Sequence, residues 1–181
     1  MHGLRAPRSG RGIKIVNSRV VPLRTGMPRK ALLPYRASLA GTLLIARESV
    51  MAPIRPILRR AGVTEQQWRV LRVLDDEGEL DPSTLANRAV LHAPSVTRIL
   101  KELLDRKLID RLPDAKDGRR SLIRLTAGGR RLVQETAKET VVILDAFAKR
   151  FGESRVAALR NELAALEEAL RSVGASTDPE P

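Results

Sequence analysis

Hydrophobic positions recur at helical spacing along most of the chain and give way to short strand-like runs only between residues 108 and 125. From Tyr35 to Arg60 the residues Leu39, Leu43, Ala46 and Val50 share one face of a helix. Pro53 and Pro56 predict a bend or break there, because each lacks a backbone N–H and crowds the preceding turn. Gly62 ends that segment, and Thr64 with Gln67 has capping-box spacing for a new helix. Trp68, Leu71 and Leu74 form its inward stripe, and Gly78 closes it. Asp81-Pro82 then opens a short helix over residues 82 to 89, since aspartate accepts orphan N–H groups and proline is preorganised for the first turn. So short a helix must pack on its neighbours. The tight link Val90-Leu91-His92-Ala93 leads to Pro94, which again suits a helix start. Two short helices joined this closely make a helix-turn-helix.

The second of these helices has an apolar face of Val96, Ile99, Leu100, Leu103 and Leu104. Ser95, Arg98, Lys101 and Asp105 fall on its polar side, with Thr97 near the border. Leu108 to Leu112 and Ser121 to Leu125 have the length and branched-residue content of paired strands around a turn rich in Pro, Asp and Gly. Beyond them Thr126 caps a helix offering Leu132, Leu144, Phe147 and Phe151. Val156, Leu159, Leu163, Leu166, Leu170 and Val173 then alternate spacings of three and four, a coiled-coil-like seam that suits packing between two chains or within one.

Composition narrows the picture. A chain of 181 residues with 43% hydrophobic content can bury one core with appendages, and 2% aromatics means a core of Leu, Val, Ile and Ala. The net charge of +12 points to a polyanionic partner. No acidic residue precedes Glu48, whereas Arg5, Arg8, Arg11, Lys14, Arg19, Arg24, Arg29 and Lys30 do. Residues 1–34 therefore read as a basic, disordered tail that either touches DNA phosphates or is merely solvated, and residues 174–181 as a second tail. Met27 also reads as an alternative start.

Cysteine is absent, which excludes disulfides, thiolate zinc sites and cysteine redox chemistry. No apolar run is long enough to span a bilayer or to serve as a secretory signal, so a cytoplasmic protein without a membrane partner is expected. His2 and His92 are the only histidines, and no phosphate loop, metal-ligand spacing or catalytic carboxylate pairing stands out. The chain is thus expected to be no enzyme and to need no cofactor or metal.

Charge changes the meaning of the helix and hairpin. Arg98 and Lys101 suit guanine edges or phosphates, and Ser95 and Thr97 suit either, if the helix enters a major groove. Arg119 and Arg120 at the hairpin tip suit a narrow minor groove, with Asp117 able to orient one of them. An ordinary solvated helix and an exposed hairpin with incidental charge form the plainer alternative.

These residues resemble a known family. Asp117-Gly118-Arg119, then Leu125-Thr126 and Gly129, are similar to the DxR…LTxxG signature of MarR-type winged-helix regulators. Thr64-Glu65-Gln66-Gln67-Trp68-Arg69-Val70-Leu71 resembles that family's helix before the DNA-reading unit, and the likeness spans about residues 36 to 173. Within the family, the run from Leu44 through Arg47, Pro53 and Pro56 to TEQQWRVLRVL is most similar to the HpaR-like regulators of homoprotocatechuate degradation operons. The resemblance implies a mostly α (α+β) fold, a winged helix-turn-helix with a DNA-binding core at residues 63–126 within a unit spanning 35–173. Helices at 35–60 and 127–173 would form the dimerisation region of a homodimer on a pseudo-palindromic double-stranded DNA operator.

It also implies a repressor released by a small aromatic acid of the homoprotocatechuate or 4-hydroxyphenylacetate kind. Arg47 is the candidate for a carboxylate, Trp68 for the ring, and Arg69 or His92 for a carboxylate or phenol hydroxyl. Each has a plainer role: Trp68 in the core, His92 in a turn or cap, Arg47 and Arg69 in ion pairs. The alternatives are a DNA-binding architectural protein without a small ligand and a MarR-type regulator of another pathway without an aromatic-acid ligand.

Overall fold

The computed structural model describes residues 32–113 and 121–175, with side-chain surroundings as far as residue 171. The elements follow the expected order: α1 Leu39–Met51, α2 Arg55–Arg60, α3 Glu65–Glu77, α4 Pro82–Arg88, α5 Ala93–Asp105, β1 Ile109–Pro113, β2 Ser121–Leu125, α6 Ala127–Phe151 and α7 Glu153–Ala175. The fold is mostly helical with one small antiparallel sheet. The described residues up to Ala46 and those from Arg47 onward form separate compact units, the boundary falling inside α1.

In the first unit a 3-10 turn, Tyr35–Ala37, leads into α1. The Ser38 hydroxyl donates to Tyr35 O at 2.6 Å and accepts the Gly41 N–H at 3.1 Å. Leu39 and Leu43 are solvent-exposed.

In the second unit the proline-marked break is real, since α1 ends at Met51 and α2 restarts at Arg55 with Pro56 in its first turn. The starts of α3, α4 and α6 then follow from side-chain caps. Thr64 and Gln67 exchange bonds as a capping box, at 3.1 Å from Gln67 N–H to the hydroxyl and 3.0 Å from Thr64 N–H to the amide oxygen. Asp81 accepts the N–H groups of Ser83 and Thr84 at 2.9 and 3.0 Å, and Thr126 accepts that of Gly129 at 3.0 Å. Each such cap satisfies a donor the helix leaves orphaned, worth about 1 kcal/mol.

β1 and β2 pair from Ile109 with Leu125 to Pro113 with Ser121. Leu80 adds a bridge on the other edge of β2: its N–H donates to Ile123 O at 3.1 Å and its carbonyl accepts the Ile123 N–H at 2.8 Å. The run Gly78-Glu79-Leu80-Asp81 carries no strand pattern that would announce this bridge.

The core contains Leu58, Val70, Leu71, Leu85, Ile99, Leu100, Leu103, Ile109, Ile123 and Val133, all nearly inaccessible. Burying side chains of this size stabilises the fold by about 1.5–3 kcal/mol each before entropy is counted. Every helix from α2 to α6 supplies part of this core, with both strands. α7 differs, for none of its residues up to Arg171 is buried, and Leu159, Leu163 and Leu170 face solvent.

Candidate nucleic-acid interface

α5 is strongly two-faced. Val96, Ile99, Leu100 and Leu103 are buried against α3, α4 and β1. Thr97, Arg98, Lys101 and Asp105 lie on the solvent side. Ser95 and Thr97 exchange their expected places: Ser95 is half-buried because it stands one turn before the buried Ile99, whereas Thr97 is exposed between Ala93 and Lys101. The Thr97 hydroxyl donates to Ala93 O at 3.3 Å. The helix also begins at Ala93, one residue earlier than Pro94 suggests.

Arg98 stands at the exposed end of a polar chain that begins on another helix. Its guanidinium lies 3.8 Å from Oε1 of Glu102, one turn further along α5. The second Glu102 oxygen accepts the Gln67 side-chain N–H at 2.8 Å. Gln67 is itself buried, and its capping-box bond to Thr64 leaves only the amide nitrogen for Glu102. The sequence pattern marks Gln67 as a cap alone. The i, i+4 spacing of Arg98 and Glu102 was a readable signal, whereas the reach from α3 to α5 exists only in the packed structure.

The base of the hairpin is tied to α6 through the residues of the resemblance. Leu125 is buried, and the Thr126 hydroxyl donates to Lys107 O at 2.8 Å and Leu108 O at 3.2 Å while capping α6. Gly129 follows on the buried side, where a Cβ would stand 2.0 Å from Leu108 O. Arg124 lies 3.7 Å from both Asp110 and Glu79, holding charge at the sheet base. Asp117, Arg119 and Arg120 fall within residues 114–120, outside the described residues.

Among the proposed effector residues, Arg47, Trp68 and Arg69 each have partners of their own. Arg47 bonds Glu48 at 2.7 Å and Glu65 at 2.6 Å, while Arg55 bonds Glu48 at 2.6 Å and also Glu65, closing a four-residue network. Burial pushes the Glu65 carboxyl up, but hydrogen bonds from Arg55 and Arg47 outweigh it and hold the carboxyl below its usual range. Hydrogen bonds to Glu48 and Glu65 raise Arg55 in turn. Because Glu65 is depressed in the folded state, its contribution is complete above the unfolded value and is lost as pH falls through the folded one. Glu65→Gln is therefore expected to cost about 1 kcal/mol at pH 7 and progressively less at an acidic pH, as the carboxylate protonates through its lowered range. Urea unfolding at both pH values checks this, and an equal loss at both would dissociate the network from stability.

Trp68 is half-buried and packs on the main core. Arg69 departs from its plainer ion-pair reading: its Nη1 donates to the backbone carbonyls of Ala89 and Val90. His92 is exposed at the cap position of α5, where its side chain makes no cap hydrogen bond. Two open clefts of about 370 and 400 Å³ lie elsewhere, one between the α3 end and the sheet, the other between α2 and α6. Neither is lined by Arg47, Trp68, Arg69 or His92. Among the described residues, no cluster of three or more His, Asp or Glu could hold a metal, and no helix is long and apolar enough to cross a membrane.

A short helix, a tight turn, a second helix with a solvated basic face and a following hairpin define a winged helix-turn-helix transcriptional regulator. Residues 61–120 match the MarR family. The transcriptional regulator FarR of Neisseria gonorrhoeae is 40% identical over 139 residues, covering 75% of this chain and 95% of that protein. The homoprotocatechuate degradative operon repressor of Escherichia coli is 42% identical over 95 residues, 52% of this chain and 64% of that protein. Among solved structures, NadR in complex with 4-hydroxyphenylacetate is similar with a TM-score of 0.68 and 38% identity, covering 77% of this chain and 97% of NadR. The chain belongs to the MarR family of transcriptional regulators.

Proposed function

We propose that the protein is a homodimeric repressor of an aromatic-acid catabolic operon, released from a pseudo-palindromic operator when a small aromatic acid binds. The observation that carries the DNA-reading part is α5, which buries Val96, Ile99, Leu100 and Leu103 on one face and presents Thr97, Arg98 and Lys101 on the other. Arg119 and Arg120 are assigned to the adjacent minor groove and Asp117 to their orientation, with Ser95 at the edge of the α5 contact.

The dimer is supported by apolar surface that the single chain leaves open. Leu159, Leu163 and Leu170 on α7 and Val141, Val142 and Leu144 on α6 are exposed, which disfavours a seam packed wholly within one subunit. Light scattering after size-exclusion chromatography is expected to give twice the chain mass at micromolar concentration. A stable monomer would overturn this architecture.

Similarity to a homoprotocatechuate operon repressor and to a 4-hydroxyphenylacetate-bound regulator supports the effector class. Arg47 is the residue assigned to its carboxylate and Trp68 to its ring. An arriving carboxylate at Arg47 would exchange with Glu48 or Glu65, which already occupy that guanidinium. His92 is left for a phenol hydroxyl. A few kcal/mol of differential affinity between two dimer conformations is enough to empty an operator. Fluorescence anisotropy on a duplex selected from a random pool is expected to show release by 4-hydroxyphenylacetate or 3,4-dihydroxyphenylacetate. Binding that ignores both acids and shows no preference between duplexes would indicate an architectural protein instead.

A further inference from the structure

The turn that introduces α5 has a conformation its sequence does not favour. Val90 holds φ at +51°, in the left-handed region where a branched side chain crowds its own backbone. Its side chain is 80% exposed, so burial does not compensate. The conformation closes α4 all the same: Val90 N–H donates to Asn87 O at 3.1 Å, and Leu91 N–H donates to Ala86 O at 2.9 Å. The carbonyls of Ala89 and Val90 remain for α3, and Nη1 of Arg69 donates to them at 3.0 and 3.1 Å. A charged donor shared by two carbonyls of one turn binds more strongly than a neutral one.

We infer that Arg69 is a positioning residue: it offsets the strain of left-handed Val90 and thereby sets the direction in which α5 leaves the turn. This rests on the reading of α5 as the DNA-reading helix. Without the clamp, Val90 relaxes toward an ordinary φ, and the early turns of α5, which carry Thr97 and Arg98, are re-aimed. A glycine at position 90 adopts positive φ without strain and so makes the clamp dispensable. The role also separates Arg69 from its neighbour Trp68, which packs on the core.

The test compares Arg69→Met, Val90→Gly and the double variant. It uses a duplex that the wild-type protein selects from a random-sequence pool, measured against the unselected pool. Arg69→Met is expected to lose about tenfold of the wild-type preference, the size of one disturbed base contact. Val90→Gly alone keeps the preference, and the double variant recovers it to within about threefold, a residual of well under one such contact. Wild-type preference in Arg69→Met overturns the inference, as does a double variant no better than Arg69→Met. Retained preference with loss of response to 4-hydroxyphenylacetate would assign Arg69 to the effector and equally overturn it. Should Arg69→Met not fold, the comparison is made with Arg69→Lys, whose ammonium lacks the guanidinium fork, and absence of rescue by Val90→Gly there counts the same way. A wild-type protein that selects no duplex defeats the DNA-reading function itself, a result distinct from all of these.

Discussion

Replacing Gly129 by alanine is expected to lower unfolding stability by roughly 3 kcal/mol or more, although alanine in place of glycine within a helix ordinarily stabilises by about 0.5–1 kcal/mol. The reversal comes from Leu108. A Cβ at position 129 would stand 2.0 Å from its carbonyl oxygen and 3.0 Å from its carbonyl carbon, and backbone cannot rotate out of the way. α6 would have to lift off, straining the bonds from Thr126 to Lys107 and Leu108 that join the α5 exit to the hairpin. Gly128→Ala is the control, since a Cβ there meets only Thr126 Oγ1 at 3.5 Å and Lys107 O at 3.6 Å, ordinary contacts. Urea unfolding of both variants should show a large loss for Gly129→Ala and little change for Gly128→Ala. Equal stability of the two would mean that α6 does not rest on Leu108.

Arg98→Ala is expected to relax sequence discrimination by about 10- to 100-fold while leaving the fold intact, because one base-contacting arginine is worth roughly 1–3 kcal/mol. The guanidinium is solvent-exposed and lightly held by Glu102, so its removal exposes no cavity. Arg119→Ala should behave differently. It should weaken binding to all duplexes and lower the salt slope by about one, as expected when a phosphate-proximal cation is lost. Competition binding with selected and random duplexes at several salt concentrations separates the two. Wild-type behaviour in both variants would remove the proposed reading surface.

Much of the local structure was legible because its causes are local. Thr64, Asp81 and Thr126 start helices by accepting N–H groups two or three residues ahead, and such bonds need nothing from elsewhere in the chain. The α5 stripe was legible for a similar reason, since helical periodicity alone places Val96, Ile99, Leu100 and Leu103 together. The borderline positions were not. Ser95 and Thr97 changed places because exposure at a stripe edge depends on what packs beside it. The candidate effector residues were legible as chemistry only, and the structure gave Arg47 two carboxylates and Arg69 two carbonyls.

By itself the sequence determined the order and kind of the elements, the helix-turn-helix with its following hairpin, and the MarR likeness carried by Leu125-Thr126 and Gly129. These rest on capping, periodicity and short-range spacing, which act within a few residues. Only the tertiary structure decided what those residues are for. Gly129 is needed because α6 crosses a carbonyl twenty-one positions earlier in the chain, at Leu108. Gln67 reaches Arg98 through Glu102, and Arg69 reaches the turn before α5, because α3 packs across both. Contacts between residues far apart in sequence have no periodicity to announce them, and they become readable only once the core has brought the helices together.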